Sequence, residues 1–184
     1  MKEEMGKAGY SLRKEVRNLA TNPSRIIIPL ILLVFGLGVA SSTVWAKEAE
    51  SLKGVKSAKA IFDVRVANPK AAAIQLNLIH LTYQQLVGEK KKPVCVVSFM
   101  GPAVKLISKN REGFSAEDQK SLDEIAETIS KMAQDGIRVE ICLFAANLFK
   151  VDPASILPEI KKVENGWVSV IGYQAQGYSL VAAY

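Results

Sequence analysis

The segment Gly136-Ile-Arg-Val-Glu-Ile-Cys-Leu-Phe-Ala-Ala-Asn-Leu148 is a short, largely apolar run that reaches a cysteine and continues into small residues. Its composition predicts a buried strand of a parallel sheet, followed by a turn. Cys142 is one of only two cysteines in the chain and falls where this strand ends. In open α/β sheets, chemistry collects at the carboxyl ends of the strands. Cys142 is therefore a candidate catalytic thiol, and the alternative is that it only packs.

Strand and helix patterns alternate on both sides of this segment. Strands are predicted over residues 58–67, 93–99, 137–142, 160–163 and 178–183. Helices are predicted between them, over residues 69–87, 103–108, 115–134, just after 152–153, and 166–177. This alternation predicts an α/β fold: a doubly wound, mostly parallel sheet of about five strands with helices on both faces. In the common strand order 2-1-3, Cys95 and Cys142 would lie about two strand spacings apart, too far for a disulfide.

The first long helix has clear end signals. Pro69 suits its first turn and Gly88 its end. Between them, Ile74, Leu78 and Leu81, with Ile79, Tyr83 and Leu86 beside them, predict a broad apolar stripe.

The N-terminal region has the three-part pattern of a secretory signal. Residues 1–25 are polar and basic, residues 26–39 are almost wholly apolar, and small residues precede Ala46. We expect residues 1–46 to be a signal peptide cleaved after Ala46. The alternative is a retained membrane anchor, because the 21 uncharged residues 26–46 are just long enough to span a bilayer. Both readings place a linker (47–57) and an α/β domain (58–184) in the periplasm or beyond.

The basic charge of the chain does not indicate nucleic-acid binding. Residues 1–46 hold six Lys/Arg against three acidic residues, which is half of the net charge of +6. The remaining basic residues are dispersed, and the run Lys90–Lys92 is typical of a solvated loop. No basic stripe interleaved with aromatic residues is present, so nucleic acid is not an expected partner.

No residue pattern predicts a metal site or a cofactor. His80 is the only histidine, and the two cysteines are 47 residues apart. His80 is expected to be structural or on the surface. The Gly101-Pro102 turn leads from a strand into a helix, so it is either a tight turn or a binding site for an anion on free backbone N–H groups. Asp63 lies inside a covered strand, where it either orients a group of the site or caps a backbone turn.

The two cysteines have different settings. Cys95 lies inside an apolar run, where thiols are usually inert. If the chain turns into a helix after Cys142, the helix start favours a thiolate there. Lys150 would be a further positive charge near it.

Three segments together resemble the DsrE/DsrF family of sulfur-relay proteins: IFDVRVANPKAAAIQLNLIHL, VSFMGPAVKLISKN and GIRVEICLFAANLF. Their order and spacing carry the resemblance, which covers about residues 58–183. It implies that Cys142 holds a persulfide, that the chain forms homotrimers or hexamers, and that its partners are sulfur donor and acceptor proteins or small sulfane-sulfur compounds. One departure is Met100, where many relatives have a histidine.

Three functions follow from these observations. The first is a persulfide carrier acting outside the inner membrane through Cys142, which makes it a possible sulfur transferase. The second is a non-catalytic oligomeric binding module of the same fold, in which Cys142 is structural. The third is a domain that binds a small anion or a nucleotide at the Gly101 turn.

Overall fold

Five parallel strands form one sheet in the computed structural model, which describes residues 49–184. The predicted signal segment, residues 1–46, lies outside the described residues. The strands are Lys59–Val64 (β1), Val94–Phe99 (β2), Arg138–Cys142 (β3), Lys161–Val163 (β4) and Ser179–Ala183 (β5). Every pair of neighbours is parallel. The predicted fold class, a doubly wound parallel α/β sheet, is confirmed.

The strand order differs from the expected one. It is β4-β3-β2-β1-β5, so β2 lies between β1 and β3 and the predicted 2-1-3 arrangement is wrong. The chain adds β2, β3 and β4 successively in one direction. It returns across the sheet only once, to place β5 beside β1.

The two thiols therefore lie on neighbouring strands but at opposite ends of them. Cys95 pairs with Ala60 near the start of β1. Cys142 lies one position beyond the pair Phe99–Ile141. At about 3.3 Å per residue, this offset along the strands is roughly 16 Å. Both thiols are free, as expected. The distance between them lies along the strands, whereas the expected distance lay across the sheet.

Four α-helices connect the strands: Pro69–Gly88 (α1), Ala116–Gln134 (α2), Leu143–Leu148 (α3) and Gly166–Ala175 (α4). Shorter 3₁₀ helices span Glu50–Leu52, Gly101–Ile107 and Pro153–Ser155. Side-chain caps start the long helices. The Asn68 side chain accepts a hydrogen bond from the Ala71 N–H at 2.9 Å, and Ser115 begins α2 with a full capping box. Among residues 49–184, no helix has both the length and the apolarity needed to cross a membrane.

The predicted stripe of α1 is buried only in part. Ile79 is buried and Tyr83 packs against the core. Ile74, Leu78 and Leu81 are 56%, 56% and 49% exposed, whereas Ala72 and Leu76 are fully buried. Apolar residues lie on both sides of α1, so periodicity alone does not select the side that packs. Helix α1 packs against α2.

The two faces of the sheet differ in chemistry. Register places Asp63, Ser98 and Glu140 side by side across β1, β2 and β3, so they point to the same face. Helix α4 packs on this face, because Ser169 and Tyr173 bond to Glu140. Cys95 points to the opposite face, which α1 covers.

Candidate functional site

Cys142 is the last residue of β3 and the N-cap of α3. The predicted strand-to-turn segment thus continues into a short helix. The Ala145 N–H donates a hydrogen bond to the Cys142 Sγ at 3.4 Å. The sulfur takes the position that a Ser or Asp oxygen usually occupies at a helix start. The residue is only 6% exposed, so the sulfur is reached through a cavity rather than from open solvent.

A cavity of about 450 Å³ opens beside Cys142 and is called here the Cys142 cavity. It forms at the carboxyl edge of the sheet, where Arg65 follows β1, Met100 follows β2 and Cys142 ends β3. Its size is typical of a site for a small ligand. Most of its wall is apolar or aromatic. The lining residues are Arg65, Met100, Gly101, Cys142, Phe144, Ala145, Leu148, Phe149, Asn165 and Trp167.

The structure brings some of the predicted site residues together. Gly101 lines the Cys142 cavity, and its φ of +56° is the backbone conformation that glycine adopts without strain. Pro102 follows it in the 3₁₀ helix but does not line the cavity. Lys150 lines a separate cavity and is not among the residues that line the Cys142 cavity.

Arg65 is a site residue that the sequence reading missed. Its Nε lies 3.0 and 2.9 Å from the two carboxylate oxygens of Asp63, and its Nη2 lies 2.9 Å from Oδ2. The hydrogen bonds and the charge of Asp63 raise the pKa of Arg65. Asp63 is almost fully buried and contacts the cavity only through this ion pair. The i, i+2 spacing of the two residues on one strand was the available signal.

The start of α4 forms a second wall close to Cys142. A Cβ added at Gly166 would lie 2.6 Å from the Met100 Sδ and 3.0 Å from the Cys142 Cβ, so a larger residue there would force a neighbouring group to shift. The Asn165 side chain caps the helix by accepting from the Trp167 N–H at 3.0 Å. Two helix starts, those of α3 and α4, therefore flank Cys142.

A buried glutamate holds α4 on the sheet. Glu140 is 1% exposed and lies two residues before Cys142 on the same face. It pairs with Arg138 and accepts hydrogen bonds from Ser169 Oγ at 2.5 Å and Tyr173 Oη at 2.9 Å. Burial, and then the hydrogen bond to Glu140, raise the pKa of Tyr173 to about 12. A second cavity of about 530 Å³ borders this cluster.

Asp63, Ser98 and Glu140 form a row across β1, β2 and β3, and Ser98 is the one of the three without a side-chain hydrogen bond among the described residues. Its hydroxyl is buried, and no hydrogen-bond partner for it is found within residues 49–184.

The other candidate residues lie away from this edge of the sheet. Burial raises the pKa of the Cys95 thiol to about 11, so this cysteine stays protonated at neutral pH. His80 is buried with its Nε2 2.6 Å from the Asp135 carboxylate, a contact that ties α1 to the end of α2. Within the described part of the chain, no group of three or more His, Cys, Asp or Glu residues is placed to hold a metal ion.

The fold and the site define a class of protein: a small parallel α/β domain whose third strand delivers a cysteine to a mostly apolar cavity at the sheet edge. Residues 59–183 match the model of the DsrE/DsrF-like family. The chain belongs to this family.

Individual relatives are distant. An uncharacterized protein of Aquifex aeolicus (strain VF5) is 24% identical over 124 residues, which are 67% of this chain and 55% of that protein. The chain thus spans about half the length of this relative. The structure of MTH1491 from Methanobacterium thermoautotrophicum, a protein of unknown function, has a TM-score of 0.53 at 13% identity, covering 68% of this chain and 99% of that one. The ychN protein of E. coli has a TM-score of 0.47 at 11% identity, covering 68% and 98%.

Proposed function

We propose that the protein is a sulfur carrier in which Cys142 accepts a sulfane sulfur atom and passes it to a partner. The observation that carries this proposal is the contrast between its two thiols. Cys142 lines a cavity at the carboxyl edge of the sheet, whereas Cys95 is sealed within the core. Membership of the DsrE/DsrF-like family supports the same chemistry.

The transfer needs only a thiolate and a donor. The Cys142 thiolate attacks the outer sulfur of a persulfide donor, R–S–S⁻. The donor S–S bond breaks, R–S⁻ leaves, and Cys142–S–S⁻ forms. Backbone N–H groups at a helix start stabilise negative charge, and the Ala145 N–H points at this sulfur.

Two serine variants test the assignment. Cys142→Ser removes the nucleophile, so no sulfur should load from polysulfide. Cys95→Ser should load like the wild type, because Cys95 is 3% exposed and protonated at neutral pH. Loading is read as a reducible mass gain of one sulfur atom. Equal loading of the two variants would contradict the role of Cys142.

A second candidate function is a non-catalytic binding module. The observation that favours it is the low exposure of Cys142, which suits a packed residue. Titration of the native protein with a small thiol reagent separates the two functions. One rapidly reacting thiol supports the carrier, and two thiols that react only after denaturation support the binding module.

We also propose that the protein works outside the inner membrane. Support comes from the basic, apolar and small-residue pattern of residues 1–46. N-terminal sequencing of the protein recovered from its cell of origin tests this, with a start at Lys47 expected. A start at Met1 in the cytosolic fraction would contradict it.

A further inference from the structure

Arg65 is the charged residue of the Cys142 cavity. Its guanidinium carries five N–H donors in a fixed fork. Asp63 accepts from Nε and Nη2, and within residues 49–184 no protein acceptor contacts Nη1. The side chain is 37% exposed, against 4% for its partner. The buried Asp63 therefore fixes the orientation of a guanidinium that still has a donor to offer.

The rest of the wall suits an apolar group. Phe144, Leu148 and Trp167 line the same cavity and are 58%, 76% and 62% exposed. Such exposure of three large apolar side chains around one opening costs free energy unless something covers them. A ligand that matches this cavity has an anionic end near Arg65 and Cys142 and an apolar substituent near the mouth.

We propose that the sulfur donor is an organic thiosulfonate, R–SO₂–S⁻, and that Arg65 binds its sulfonyl oxygens. This inference rests on the proposed carrier function. The Cys142 thiolate attacks the outer sulfur of the donor. The bond between the two donor sulfurs breaks, its electron pair leaves with the sulfinate R–SO₂⁻, and Cys142–S–S⁻ forms. The charge is the same on both sides, and no oxidant or reductant is needed.

The chemistry explains why a fixed cation is useful. Donor and thiolate are both anions, and they repel each other when they approach within a cavity of low dielectric constant. The guanidinium N–H groups that Asp63 does not accept from can bind the sulfonyl oxygens of the donor and then hold the leaving sulfinate. An inorganic donor would gain nothing from the aromatic wall, which is why the substituent R is assigned as apolar.

The main test is the rate of sulfur loading from benzenethiosulfonate, followed by intact mass. Arg65→Met in an Asp63→Asn background removes the cation without leaving a buried carboxylate unpaired. We expect its rate to fall roughly tenfold to a hundredfold, the loss typical of a hydrogen bond to a charged group. Lys120→Met removes one exposed charge from α2 and should load like the wild type. An unchanged rate in the double variant would overturn the proposal.

A matched pair of alkylating reagents tests the anion site without sulfur chemistry. Iodoacetate and iodoacetamide modify thiols identically and differ in charge. The rate of iodoacetate divided by the rate of iodoacetamide at Cys142 should fall in the double variant. Asp63→Asn alone, which keeps Arg65, should retain a higher ratio. Both rates in the ratio are measured on the same protein sample. A ratio that is the same in all variants would therefore overturn the role of Arg65, even in a variant whose folding is impaired.

A second pair of donors tests the apolar substituent. Benzenethiosulfonate and methanethiosulfonate differ only in R. The rate at which each donor loads Cys142 is divided by the rate at which the same donor reacts with a small reference thiol. We expect the benzene compound to be favoured roughly tenfold, from partial burial of its ring. Equal normalised rates would overturn the assigned substituent. If no sulfane donor loads Cys142 while the iodoacetate ratio still depends on Arg65, the carrier function fails and the anion site stands.

Discussion

Two thiols on neighbouring strands have different surroundings because of where the strands place them. Cys95 points to the face that α1 covers, and burial raises the pKa of its thiol to about 11. Cys142 ends its strand, caps a helix and lines a cavity. The strand end, rather than the residue type, therefore makes Cys142 the candidate nucleophile.

Gly166 is the residue whose size sets the approach of α4 to this thiol. In Gly166→Ala, the new methyl group would meet Met100 and Cys142 at less than normal contact distance. We expect the free energy of unfolding to fall by about 1–3 kcal/mol, the usual cost of overpacking. Alkylation of Cys142 should change as well, because the start of α4 must shift. Denaturant unfolding and iodoacetamide kinetics measure the two effects.

Gly172→Ala is the matched control on the same helix. An added Cβ at Gly172 meets nothing within 4 Å. This variant should be more stable by about 0.5–1 kcal/mol, because alanine favours a helix interior. If Gly166→Ala behaved like Gly172→Ala, the close packing described for the start of α4 would be incorrect.

At the scale of elements, α4 depends on one buried carboxylate. Ser169 and Tyr173 lie one turn apart on α4 and both donate to Glu140 on β3. The same strand carries Cys142 two residues later. The glutamate therefore couples the position of α4 to the strand that presents the thiol.

The hydrogen bond from Tyr173 to Glu140 leads us to expect a loss of stability at alkaline pH. The pKa of Tyr173 is about 12 in the folded state and about 10 in an unfolded chain, so the neutral phenol is favoured by folding. Its stabilising contribution is complete below about pH 10 and is lost as the pH rises towards 12. Tyr173→Phe should therefore flatten the decline of unfolding free energy across this range, measured by denaturant titration at several pH values.

Ser169→Ala provides the control for this prediction. It removes a hydrogen bond to the same carboxylate, at a cost of about 1.5–3 kcal/mol, but no titrating group. Its stability should be lower at every pH, with the alkaline decline of the wild type retained. A Tyr173→Phe profile parallel to that of the wild type would contradict the role given to Tyr173.

The sequence predicted elements better than their arrangement. Apolar runs, the proline at Pro69 and the glycine at Gly136 are local signals, and the strands and long helices fall close to where they indicate. The strand order depends on contacts between segments that are distant in the sequence. The predicted order 2-1-3 was taken from other proteins with this fold class, and it was wrong. The buried face of α1 was predicted only in part, because both of its sides are apolar.

The candidate site was only partly predictable for the same reason. Cys142 and Gly101 were found because each ends or follows a strand. Arg65 was missed, although it falls in the predicted strand 58–67 two residues after Asp63, a spacing that places both on one face. That Arg65 reaches the Cys142 cavity depends on the strand order, in which only β2 separates β1 from β3.

At the scale of the whole molecule, exposed large apolar residues occur in several places on the described part of the chain. Some line the Cys142 cavity, others lie on α4 and β5, such as Ile171 and Leu180, and a further set is the row Ile74, Leu78 and Leu81 on α1. We expect the chain to form a homotrimer or hexamer through the α1 row, because the cavity must stay open to donors. Sedimentation equilibrium should give the mass of the oligomer for the wild type and a lower mass for Leu78→Asp.

Leu148→Asp is the matched control for the oligomer, since it places the same charge on the rim of the cavity. It should leave the mass of the assembly unchanged. A monomeric wild type, or dissociation by Leu148→Asp alone, would contradict the assignment of the α1 row.

The central claim is that Cys142 carries sulfur, and the most direct test is a peptide map of the wild-type protein after exposure to a sulfane-sulfur donor. The account predicts a reducible gain of one sulfur atom on the peptide that contains Cys142, with the Cys95 peptide unmodified. Sulfur on Cys95, on both peptides equally, or on neither would contradict it.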